Sequence, residues 1–109
     1  MVGGVKIQMG SDCLLSNGVG IYSTDFHTIY SYEDRSIIIN KNKNVIIGNH
    51  VWIGIGSQIL KGSRIADDSV VGASSLVSGQ FELSNIVIAG NPARCCKDNI
   101  IWKSDSINE

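Results

Sequence analysis

The chain has 109 residues, 43% apolar and 17% charged, which suits one globular domain and excludes a disordered segment. Nine Lys and Arg against ten Asp and Glu leave a net charge of -1, so no nucleic-acid-binding surface is expected. No apolar run is long enough to span a bilayer, and residues 1–6 lack a basic region followed by an apolar stretch, so a cytoplasmic location is expected.

The first periodic element is Met9, Leu15 and Ile21, spaced by six within a block over about 9–26. The same spacing returns at Ile47, Ile53, Ile59, Ile65, Val71 and Val77, in a block over about 45–82. Roughly one residue in four is Ile or Val, so six in succession would arise by chance about once in 5,000 trials. Between these aliphatics, Ser57, Ser63, Ser69 and Ser75 recur at one phase, and small residues such as Gly48, Gly54, Ala66 and Gly72 at another.

A period of six fits neither a helix at 3.6 nor an exposed strand at 2. It fits a triangular coil, in which each hexad is one short strand and one corner. Three hexads close a coil of about 18 residues, and stacked coils pair through backbone hydrogen bonds about 4.8 Å apart. The predicted fold is therefore all-β, a parallel β-helix solenoid of about three coils.

Ile21 and Ile47 are 26 apart, which breaks the phase. Residues 27–44, including Asn40-Lys41-Asn42-Lys43-Asn44, are expected to project from a corner as a loop. After Phe81 the repeat fades into a C-terminal segment, 83–109. Within it, 85–92 reads as a strand running into a turn, Ile100-Ile101-Trp102 as a last strand or helical cap, and 103–109 as a polar, frayed end. Open solenoid ends favour oligomers. Cys13, Cys95 and Cys96 show no zinc-ligand spacing, and they read as reduced thiols serving as small apolar residues.

Three segments together carry a family resemblance: Val51-Trp52-Ile53-Gly54, the run from Ile65 to Val77, and Ala89-Gly90-Asn91-Pro92-Ala93-Arg94. They resemble the hexapeptide-repeat acyltransferases. Thr24-Asp25-Phe26-His27 and Asp34-Arg35 resemble the branch that O-acetylates sugars, including sialic acid and capsular glycans, with galactoside and maltose acetyltransferases as relatives. The resemblance implies a left-handed β-helix. It also implies a homotrimer with active sites between subunits, acetyl-CoA as co-substrate, and a saccharide or other small hydroxyl acceptor.

Acyl transfer to a hydroxyl needs a base, a held thioester and donors for the oxyanion. His27 stands where the first repeat block meets the loop, and it matches the family's catalytic His. Asp25 could orient that imidazole, bind a sugar hydroxyl or simply cap a turn. By resemblance, Trp52 packs on the acyl donor, and Gly54, Ala73 and Ser74 line its groove, although tight corners need small residues in any case. The backbone N–H near Gly54 or Ile55 is the candidate oxyanion donor. Arg94, with Lys97 nearby, is the candidate phosphate ligand, and Tyr32, Glu33 and Arg35 are loop candidates for the acceptor. His50 reads as an ordinary outward-facing polar residue.

Two departures qualify the resemblance. Ser78-Gly79 replaces the Thr-Lys common in relatives, removing one expected phosphate contact, and only 26 residues precede His27, where relatives place part of the acceptor site. Acetylation of an antibiotic or other xenobiotic, or a catalytically inactive trimeric assembly module, are the competing readings. A β-helical carbonic anhydrase would need three zinc histidines, and the chain has two. No metal is expected.

Overall fold

The computed structural model describes residues 5–107. Among them there is no helix, and twelve short strands wind into stacked coils. The first coil holds β1 (Ile7–Met9), β2 (Leu14–Leu15) and β3 (Gly20–Ile21). The second holds β4 (Val45–Ile47), β5 (Trp52–Ile53) and β6 (Gln58–Ile59), and the third β7 (Arg64–Ile65), β8 (Val70–Val71) and β9 (Leu76–Val77). A partial fourth coil holds β10 (Gln80–Phe81) and β11 (Val87–Gly90), and β12 (Ala93–Lys97) turns back antiparallel along β11.

Three parallel sheets form the walls, in the orders β1-β4-β7-β10, β2-β5-β8-β11 and β3-β6-β9, with β12 as the outer edge of the second. Their register explains the six-residue period. Met9, Ile47, Ile65 and Phe81 stack in one column, Leu15, Ile53, Val71 and Ile88 in another, and Ile21, Ile59 and Val77 in the third. The Ile and Val members of the inner coils are buried. Each contributes about 1.5–3 kcal/mol relative to leaving it in water. Ile88 extends its column at a spacing of 17 rather than 18, so the core continues where the hexad pattern fades in the sequence.

The serines at the repeated small position are buried and have acceptors for their hydroxyls. Ser57 Oγ donates to Gly72 O at 2.8 Å, Ser63 Oγ to Val77 O at 3.1 Å and Ser75 Oγ to Gly72 O at 2.7 Å. A hydroxyl here closes a tight corner without leaving an orphan polar group.

Corners stack as well as strands. One column consists of Asp12, His50, Asp68 and Asn85, all left-handed, with φ of 60°, 53°, 61° and 61°. Asn, Asp and His tolerate that region better than β-branched residues do. A second column carries Gly18, Gly56 and Ser74 in the same conformation. The third corner lies between the β3-β6-β9 sheet and the β1-β4-β7-β10 sheet. Its second-coil member is Lys61-Gly62, and in the first coil the chain leaves the solenoid there. Paired Met9 and Ile47 are 38 residues apart, against 18 for Ile47 and Ile65, so the first coil carries 20 extra residues.

These extra residues form an arm. Its legs meet at Lys43 N to Ser23 O, 3.1 Å, so the arm begins four residues before His27. Further out, Ser31 N donates to Ile37 O and Ile39 N to Ile29 O, and Tyr30 bridges Ile38 in antiparallel fashion. The loop expected from the sequence is thus a short hairpin.

The Ile100–Trp102 stretch is neither strand nor helix. It lies along the outside of the solenoid, with Trp102 buried there. Of the expected frayed end, residues 103–107 are exposed without regular structure, and 108–109 lie outside the described residues. The cysteines are unpaired, but only Cys13 packs against the core; Cys95 and Cys96 are exposed, because β12 is an edge strand outside the coil.

Candidate active site

His27 lies at the root of the arm, on the leg leaving the third corner. Asn40, on the returning leg, fixes this stretch. Its Nδ2 donates to His27 O at 2.8 Å and to Asp25 Oδ2 at 3.0 Å, and its Oδ1 accepts from Ile29 N at 2.6 Å. One amide thus spans both legs. His27 itself is exposed, and it lines a cavity of about 460 Å³ with Thr24, Phe26, Thr28, Ile38 and Asn40. A largely apolar cleft with one titratable ring and several hydroxyl and amide groups suits a ligand that presents both hydroxyls and an apolar face.

Asp25 directs its carboxylate elsewhere than to the imidazole, which it is one candidate to orient. Its carboxylate sits 2.8 Å from Lys61 Nζ as well as on Asn40, and no hydrogen bond among the described residues joins it to the His27 ring. The Lys61 hydrogen bond, followed by that from Asn40, holds its pKa below the ordinary 3.8, so it stays ionised. Its contacts make it an anchor of the arm.

Trp52 lies on another wall, the β2-β5-β8-β11 sheet, with its side chain outside the core and 38% exposed. Its Nε1 donates to Ser16 Oγ at 3.3 Å. Two residues on, Gly54 is buried. A side chain there would meet Ala73 N and Val71 O at 2.8 Å, so the absence of a Cβ lets one coil close on the next. Ala73 and Ser74 form the exposed corner above it, where Ser74 N donates to Ile55 O at 2.8 Å. The Gly54 N–H is taken by Val71 O at 2.8 Å, whereas that of Ile55 has no such partner among the described residues.

Comparison with known proteins identifies this architecture. The bacterial transferase hexapeptide (six repeats) pattern matches residues 44–79. Residues 44–79 thus carry the repeat pattern of the hexapeptide transferases. It is 48% identical over 97 residues to a polysialic acid O-acetyltransferase of Neisseria meningitidis, covering 89% of this chain and 45% of that protein. The crystal structure of the polysialic acid O-acetyltransferase OatWY superposes with a TM-score of 0.88 at 46% identity, over 93% of this chain and 47% of that one. A galactoside acetyltransferase solved with coenzyme A superposes with a TM-score of 0.69 at 28% identity, over 94% of this chain and 53% of that one. The chain therefore spans about half the length of the relatives it matches. The solenoid is the left-handed parallel β-helix of these acetyltransferases.

In this hexapeptide-repeat chain the remaining candidates fall in two places. Tyr32 and Arg35, with Tyr30 and Ser31, border a shallow cavity of about 510 Å³ at the far end of the arm, and Tyr32 is 99% exposed. Glu33 is exposed beside them. None of the three lines the His27 cavity. Arg94 is exposed on β12, paired with Ala89, and forms no ion pair among the described residues.

His50 is where the sequence reading fell short. It is only half-exposed, with Nδ1 2.9 Å from Asp12 Oδ2 and Nε2 3.1 Å from Trp102 O. Trp102 lies 52 residues away, and no local pattern in the hexads connects the two. The polar residue at a left-handed corner was the available signal.

Proposed function

We propose that the chain forms the catalytic β-helix of an acetyl-CoA-dependent O-acetyltransferase that acts on a saccharide or glycan. The observation that carries this reading is the cavity at the arm root, where His27 is the titratable ring. Near half identity to a polysialic acid O-acetyltransferase supports a saccharide acceptor.

Acetyl-CoA supplies an activated acetyl group with a thiolate leaving group. The rest falls to this chain's residues. His27 accepts the proton of the acceptor hydroxyl as that oxygen attacks the thioester carbonyl. The acetyl group ends on the acceptor oxygen, and the proton held by His27 is available to the departing sulfur. The free Ile55 N–H is the candidate donor to the oxyanion. The exposed Ala73-Ser74 corner, with the Trp52 indole on the same wall and the unpaired Arg94 guanidinium at its edge, fits an extended chain ending in phosphates. Tyr32, Glu33 and Arg35 are offered as acceptor contacts.

Within one chain His27 stands at the arm root by the third corner, whereas Trp52 is on the β2-β5-β8-β11 wall. A complete site therefore needs a second copy to bring a Trp52 wall to a His27 corner, and a homotrimer with threefold-related sites does this. No described helix is long and apolar enough to cross a membrane. Dependence on acetyl-CoA suits a cytoplasmic location.

The test is direct. Protein, acetyl-CoA and polysialic acid oligomers, with other bacterial glycans in parallel, are incubated and followed by mass spectrometry and by thiol release. Acetylated glycan with stoichiometric thiol is expected. Thiol release that never exceeds the no-acceptor control across the panel contradicts the reading.

A further inference from the structure

The C-terminal segment docks on the left-handed corner column. Ile100 N donates to Asn85 O, and Asn85 Nδ2 to Ile100 O, both at 3.0 Å. Two coils lower, Trp102 stacks on His50 with ring centroids 3.9 Å apart and planes within 8°. The two are bonded reciprocally: Trp102 Nε1 donates to His50 O at 2.8 Å, and His50 Nε2 faces Trp102 O at 3.1 Å. The segment is therefore a strap running from the fourth coil to the second.

The strap ends beside Trp52. The Trp52 and Trp102 rings are 6.0 Å apart and tilted by 44°. Trp52 thus has Ser16 at its indole nitrogen, from the first coil, and Trp102 beside its ring. In the register Trp52 also stands between Leu14 and Val70 on the outer face of its sheet, so Trp102 completes the set of side chains around the indole. Aromatic pairs at this separation favour one tilted geometry.

We propose that Trp102 is a positioning residue that holds the Trp52 indole in place for the acyl donor, with the His50–Asp12 pair as the clasp that fixes Trp102. This rests on the reading that Trp52 packs against acetyl-CoA. It adds a part of the chain that never touches the substrate. The charged groups acting on the His50 ring are Asp12 from the first coil and Asp68 from the third, and the strap presents the Trp102 carbonyl and indole. With an acceptor at each nitrogen, only the doubly protonated ring donates to both. The clasp is therefore tightest when His50 is charged.

Trp52 and Trp102 are the chain's two tryptophans, which makes the test clean. In Trp102→Phe and Trp102→Ala, Trp52 is the sole indole. Its emission and its quenching by acrylamide are measured in both, alongside acetyl-CoA affinity by calorimetry. Circular dichroism confirms the fold. The Ala variant should show red-shifted, more quenchable Trp52 emission and roughly tenfold weaker acetyl-CoA binding, and Phe should restore both. His50→Gln, which leaves both indoles, should weaken acetyl-CoA binding in the same direction.

Identical Trp52 emission in the Phe and Ala variants overturns the proposal without reference to any ligand. So does acetyl-CoA affinity that falls in Trp52→Ala but is unchanged in folded Trp102→Ala. If Trp52→Ala binds acetyl-CoA as the wild type does, the donor-site reading fails, and with it the role proposed for Trp102. The emission comparison then still shows whether Trp102 orders Trp52.

Discussion

Lys61 Nζ lies 2.8 Å from Asp25 Oδ2 and 2.9 Å from Lys41 O. Asp25 is on the outgoing leg of the arm and Lys41 on the returning leg. One cation from the second-coil corner therefore ties both legs to the solenoid at the arm root, and its partner Lys41 lines the cavity that holds His27. Its side chain is largely buried against the arm, so its contacts are better defined than those of an ordinary surface pair.

Lys61→Met should keep the fold but free the arm. Limited proteolysis between Ser23 and Lys43 should accelerate severalfold, while the thermal midpoint moves little. Acetyl transfer should fall, because the His27 segment loses its support. Unchanged protease sensitivity contradicts the anchoring role.

His27→Ala should reduce transfer by about 10²- to 10⁴-fold, the usual contribution of a general base. Acetyl-CoA binding should stay within about twofold of wild type, since the donor wall lies elsewhere. Steady-state transfer and calorimetry separate the two effects. Near-normal turnover rules out His27 as the base.

The His50 clasp makes stability depend on pH with a definite sign. Its pKa is raised above 6.5, chiefly by the hydrogen bond to the Trp102 carbonyl, opposed by partial burial and assisted by Asp12 and Asp68. The folded state then binds the proton more tightly than the unfolded state. The stabilisation is fully present below 6.5 and is lost as pH rises through the folded-state value. Asp25 behaves oppositely. With its pKa below 3.8, its contribution is present above that value and lost as pH falls through the folded-state value. Denaturation midpoints across pH for wild type, His50→Gln and Asp25→Asn should show the His50 difference shrinking upward and the Asp25 difference shrinking downward.

Within the core, Ile59→Ala should cost about 2–5 kcal/mol, because its column is fully packed above and below by Val77 and Ile21. Leu15→Ala should cost less. Leu15 occupies an equivalent inward column beneath Ile53 but is 45% exposed, where Ile53 is 0%, since the first coil has no described coil below it. Gly54→Ala should cost about 1–3 kcal/mol, as the new methyl meets backbone that cannot move aside. Chemical denaturation of the three variants checks the order.

Much of this architecture is legible in the sequence because a solenoid repeats one local solution. Ile47, Ile53 and Ile59 each take the same place in a coil, so their spacing alone reveals the walls, and the phase break at Ile21 reveals the arm. What is not legible is contact between parts that do not repeat. Asp25 meets Lys61 because a corner stacks over the arm root, and His50 meets Trp102 because the strap doubles back, neither of which leaves a period. Gly54 reads from the sequence both as a groove residue and as a small corner residue, and the backbone of the next coil that its missing side chain faces is visible only in the stacking.

The most direct test of the account is thermal stability with and without acetyl-CoA, on wild type and Trp52→Ala. A ligand at 100 times its dissociation constant adds about 2.7 kcal/mol to the folded state. A clear upward shift for the wild type, lost in Trp52→Ala, is the predicted result. No shift at saturating acetyl-CoA in a folded, trimeric protein contradicts the account and points to an assembly module.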